Sequence, residues 1–122
     1  MRVLVVISKF LPEYSGPSVR VSSLYSRLKR KKFIEFKNLL ILTGGEEFNT
    51  NKSYKINDIK IKRFKNTNIE YKYFDFLFYL KNFFKLKKEV NFFKPDLIHV
   101  VGSNTLTASA IVYAKIKKIP LC

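Results

Sequence analysis

The stretch Val3–Ile7, VLVVI, decides the fold. It is a short unbroken run of β-branched residues and Leu at the start of the chain. A strand of that kind is buried on both faces, which is the habit of parallel sheets covered by helices. The segment Phe10–Ser18 follows, with two prolines and one glycine, and reads as a loop. Val21, Leu24, Tyr25 and Leu28 then recur at i, i+3, i+4 and i+7 and mark one face of a helix. Pro17 or Ser18 suits its first turn. Arg27 and Lys29 to Lys32 crowd its end, where cations complement the helix dipole.

Leu39–Thr43 repeats the apolar run and stops at Gly44–Gly45. Phe48–Lys55 is polar and reads as a surface excursion. Asn57–Asp58 signals a turn, and Ile59, Ile61 and Phe64 among lysines predict a third strand, more exposed and at an edge. From Tyr73 to Phe93 the period becomes helical. Phe76, Leu77, Leu80, Phe83, Phe84 and Val90 form one face, Lys81, Lys85 and Lys88 another, and Pro95 ends the helix. Leu97–Val101 is a fourth strand closed by Gly102. Ser103 or Asn104 caps a helix with Leu106, Ala110, Tyr113 and Ala114 inward, and Ile119–Cys122 begins a fifth strand.

Strands alternating with helices predict an α/β fold: a Rossmann-like, doubly wound parallel sheet of order 3-2-1-4-5. Ligands of such sheets bind beyond the C-terminal strand ends, where the strand order reverses. Here that point lies between the first and fourth strands, which singles out Ser8–Ser18 and Gly102–Asn104.

Composition bounds the function. The chain has 122 residues, enough for one domain with a core and too few for two. Its hydrophobic content of 47% argues against disorder. The net charge of +15 favours anionic partners, though abundant Lys, Asn, Ile and Phe are also the residue usage of AT-rich coding. Cys122 is the single cysteine and His99 the single histidine, so neither an internal disulfide nor a zinc site is expected. The opening apolar run is too short for a signal peptide, and no stretch approaches a spanning helix of about 20 residues. A cytoplasmic location is expected, with peripheral contact at the inner membrane face as an option. The first loop has neither G-x-G-x-x-G nor a P-loop.

The residues Ser15–Leu28, SGPSVRVSSLYSRL, nevertheless resemble the first loop and helix of GT-B glycosyltransferases of the large retaining family 4. Gly16, Pro17, Ser18, Arg20, Val21, Leu24 and Leu28 fall on that family's pattern, with Ser15 in place of the first glycine of a pair. Ile59–Phe64, IKIKRF, resembles its third strand, and Lys94–Gly102, KPDLIHVVG, its fourth. There Pro95, Asp96 and His99 match, and Val101 stands where a second histidine is common.

The resemblance implies an N-terminal, acceptor-side domain spanning residues 1–122, incomplete, with a donor-binding domain beyond it. It implies sugar transfer from a nucleotide-sugar to a glycan or lipid-linked acceptor, with no cofactor and no metal, no catalytic residue within this chain, and no activity of the isolated chain. The expected substrate-binding residues are Ser15, Gly16, Pro17, Arg20, Gly102, Ser103 and Asn104. His99 reads either as a near-core histidine hydrogen-bonded to backbone or as a general base. Arg20 faces either a phosphate or water. The lysine-rich segments Arg27–Lys32 and Phe84–Lys94 read as solvated faces or as contacts to anionic lipid. Two other readings stand beside this one. A basic nucleic-acid-binding module is disfavoured because the aromatics fall on helical core faces, so no nucleic acid is expected. A free-standing flavodoxin-like interaction domain is the second.

Overall fold

The computed structural model describes residues 2–11, 16–32, 38–44, 51–56, 58–64, 75–102 and 105–122, with backbone alone for 75–79 and 105. The elements are β1 (Val3–Ile7), α1 (Gly16–Arg30), β2 (Leu39–Thr43), β3 (Lys52–Ile56), β4 (Ile59–Arg63), α2 (Asp75–Phe93), β5 (Leu97–Val101) and α3 (Thr105–Lys117). The five strands form one sheet in the order β3-β4-β2-β1-β5. β1 pairs in parallel with both β2 and β5, and β2 with β4. β3 is antiparallel to β4.

The sheet is covered on both faces, which explains why β1 and β2 are buried at every position. Val3, Val5, Ile7, Leu39, Ile41, Ile59 and Ile61 pack against Val21 and Tyr25 of α1. Leu4, Val6, Leu40, Leu42 and Ile98 pack against Leu86 and Val90 of α2 and Leu106, Ala110, Tyr113 and Ala114 of α3. The expected inward stripe of α3 is therefore the observed one.

Two expectations about the strands need correction. The segment read as a surface excursion, Phe48–Lys55, overlaps an edge strand, Lys52–Ile56. That strand pairs with β4 across a turn containing Asp58 at φ 66°. The segment Ile59–Arg63 is consequently interior, between β2 and β3, and not an edge. Its alternating burial comes from a different cause: Ile59 and Ile61 face α1, while Lys60 and Lys62 face the other way, where Lys62 is half-buried beside Glu89 of α2.

The helix faces are also narrower than the periodicity suggested. In α1, Leu24 is exposed and Ser18 is buried. In α2, Leu80 and Phe84 are exposed, and Asn82, Leu86 and Val90 are buried. Phe76 and Leu77 lie outside the described side chains. Helix α2 stops at Phe93 because Lys94 turns left-handed (φ 54°), donating its N–H to the Val90 carbonyl at 2.8 Å, and Pro95 follows. After Lys118, also left-handed at φ 56°, residues 119–122 run beside β5. They make one parallel bridge, Ile98 to Leu121, with backbone hydrogen bonds of 2.9 to 3.0 Å, and not a full strand.

Candidate functional site

β1 and β5 are neighbours whose connections leave toward opposite faces of the sheet, to α1 and α3. Their C-terminal ends mark the position at which parallel sheets generally bind ligands. The two ends are locked together. The Ser8 N–H donates to the Val101 carbonyl at 3.1 Å. Gly102 has φ +88°, and a Cβ there would fall on the Ser8 hydroxyl and within 2.9 Å of the Ser8 Cβ. Backbone conformation and lack of space each require glycine at this position.

Gly16 differs. It is exposed at the start of α1, and a Cβ added to it would meet nothing within 4 Å. Packing within the described residues thus gives no reason for glycine at position 16. Pro17 and Arg20 are exposed beside it. Pro17 suits the first turn because it lacks an N–H that the helix would leave unbonded. No acidic residue stands in the first turn of α1, so its positive dipole end is not offset from within that turn. Ser15, Ser103 and Asn104 lie outside the described residues.

A contact between α1 and β5 fixes where these groups sit. The Tyr25 hydroxyl and His99 Nδ1 are 2.8 Å apart, and their rings are tilted at 52°. Gly16 lies nine residues before Tyr25, about 13.5 Å up the helix at 1.5 Å per residue. Gly102 lies three residues beyond His99, about 10 Å along the strand. Because β1 and β2 are parallel, α1 must run back against them. Both glycines therefore lie at the same end of the sheet.

The Tyr25–His99 pair lies below that end, on the α1 side of the sheet. His99 is half-buried, and its identified partner is a tyrosine hydroxyl instead of the expected backbone group. Burial lowers its pKa below the usual histidine value. Burial also pushes the Tyr25 hydroxyl up to about 12, with a smaller contribution from the charge at Cys122. Near neutral pH the imidazole is uncharged and the phenol protonated, so a single proton lies between them. Nothing in the periodicity announced this pair, although Tyr25 stood on the inward face of α1.

Among the described residues, no group of three or more His, Cys, Asp or Glu is placed to hold a metal ion. No described helix is long and apolar enough to cross a membrane. In comparisons with known proteins, no family model, no curated protein and no solved structure matches the chain.

Proposed function

We propose that this chain forms the acceptor-side wall of a GT-B-type glycosyltransferase, in which a sugar passes from a nucleotide-sugar to a glycan or lipid-linked acceptor. The observation that carries this reading is the contrast between the two glycines. Gly102 is explained by its packing on Ser8, whereas Gly16, at a helix N-terminus where the same sheet ends, has no described residue within 4 Å of a Cβ placed on it. A residue without a side chain at such a place lets a ligand approach the backbone, and the helix end favours an anion. Arg20, one turn further on, adds a fork of donors suited to a diphosphate.

On this reading the donor-binding and acidic groups belong to a second domain, and the expected fold is the Rossmann-like half of a GT-B enzyme. The chain's own part is to position and to exclude water. Catalysis needs donor phosphates and acceptor hydroxyl held together in one closed cleft. The discriminating experiment is Gly16→Val in the complete gene product. The reading expects a large fall in turnover with an unchanged melting temperature. Equal losses of activity and stability would make Gly16 a structural glycine and remove the main support for this reading.

A further inference from the structure

A second site, independent of the reading above, lies between α2 and the β3–β4 hairpin. Ile59 and Ile61 of β4 face α1, so Lys60 and Lys62 face the other way, with Lys55 and Ser53 as their cross-strand partners. Lys55 and Lys60 stand directly opposite each other, and like charges so placed destabilise a sheet. An anionic ligand would relieve that repulsion.

Helix α2 supplies the facing wall. Lys85, Lys88 and Phe92 recur at i, i+3 and i+7 and share one stripe. A depression of about 340 Å³ is lined by Lys52, Lys62, Arg63, Lys85 and Lys88, with Glu89 as its single acid among the described residues. Lys62 Nζ donates to both Glu89 oxygens, at 3.0 and 2.8 Å, which holds the ammonium in place. The Lys85 ammonium lies 5.8 Å from the centre of the Phe64 ring. A second depression of about 370 Å³ shares Lys62 and Glu89 and takes in Lys60, Arg2 and Phe92. Both volumes suit a small ligand.

Phe92 is 85% exposed. An aromatic ring so open beside a row of ammonium groups matches a ligand with a planar base and a phosphate chain. Along α2, Lys88 and Lys85 lie about 6 and about 10.5 Å from Phe92 at 1.5 Å per residue, comparable to the reach from a nucleobase to its first phosphates.

We propose that these two adjoining depressions together bind a nucleoside di- or triphosphate, with the base on Phe92 in the second and the phosphates among Lys62, Lys85 and Lys88 in the first. The test is calorimetric titration with magnesium-free ATP and with inorganic tripolyphosphate at about 150 mM salt, where exposed charges are largely screened beyond about 8 Å. ATP should bind saturably. Phe92→Ala should weaken ATP about tenfold, the scale of one lost base stack, and leave tripolyphosphate unchanged. Lys88→Gln should weaken both several-fold, and Arg30→Gln, in the separate basic cluster ending α1, should change neither. All three positions are exposed, so melting temperatures should hold. Failure of ATP to bind at about 1 mM, the weak end of useful affinity, would overturn the proposal. So would equal weakening by Arg30→Gln, an unaltered ATP affinity in Phe92→Ala, or tighter binding of oligo(dT) or phosphatidylserine vesicles than of ATP.

Discussion

Replacing Gly102 by alanine tests the geometry at the ends of β1 and β5 directly. Its φ of +88° is one that residues with a Cβ rarely adopt. Holding alanine there costs about 1–3 kcal/mol of backbone strain. The new Cβ also collides with the side chain of Ser8, and forcing an extra carbon into a filled space costs another 1–3 kcal/mol, roughly. The sum is about 2–6 kcal/mol, against a total stability on the order of 5–15 kcal/mol. At about 4 °C per kcal/mol for a domain of this size, the melting temperature should fall by roughly 8–24 °C.

The two contributions can be separated. Ser8→Gly removes the colliding atoms and leaves the backbone strain. In a double-mutant cycle, Ser8→Gly should recover about 1–3 kcal/mol of the Gly102→Ala loss, with the remainder persisting. Urea denaturation followed by circular dichroism provides all four stabilities. A Gly102→Ala variant within about 0.5 kcal/mol of the parent, the range of ordinary surface substitutions, would refute the reasoning. Strict additivity in the cycle would refute the Ser8 contact.

Other perturbations follow from the same structure. Leu86→Ala removes a fully buried side chain between α2 and the sheet and should cost about 2–5 kcal/mol in chemical denaturation; a loss under 1 kcal/mol, roughly, would misplace α2. His99 is the only histidine, and its folded-state pKa is lowered, so the unfolded chain takes up the proton first. Stability should therefore decline as pH falls below about 6.5, until the folded-state pKa is passed, and His99→Gln should flatten that decline. An unchanged pH slope in the variant would show that His99 is not desolvated. Gly16→Val should leave stability within about 0.5 kcal/mol, because no described residue lies within 4 Å of the new Cβ; a larger thermal shift would show packing there.

How much of this was legible in the sequence depended on which force decided each element. Val3–Ile7 and Leu39–Thr43 announce themselves, because a strand buried on both faces has no polar position to blur it. The α3 stripe was equally plain, since Leu106, Ala110, Tyr113 and Ala114 are all in the core. The edge strand Lys52–Ile56 was hidden because solvent wets most of it and lysines fill its outer positions. The Asn57–Asp58 turn signal and the alternation of Tyr54 and Ile56 with Ser53 and Lys55 were the available clues. The width of the α2 face misled because the helix is apolar on more sides than the sheet can cover, leaving Leu80, Phe84 and Phe92 exposed. At the candidate site, Gly16 and Gly102 look alike as letters. Only the surrounding space separates a glycine required by Ser8 from one that packing does not require. The basic site was legible only in part: the lysines of α2 stand out in the sequence, whereas those of the two strands join them only in the fold.

On the proposed reading, residues 1–122 build one wall of a sugar-transfer cleft. The most direct measurement incubates the complete gene product, and separately residues 1–122, with labelled nucleotide-sugars and a lipid-linked and glycan acceptor panel. The account predicts sugar transfer with retention of anomeric configuration by the complete product and none by residues 1–122. Transfer by residues 1–122 alone, or no transfer from any donor by the complete product, would contradict it.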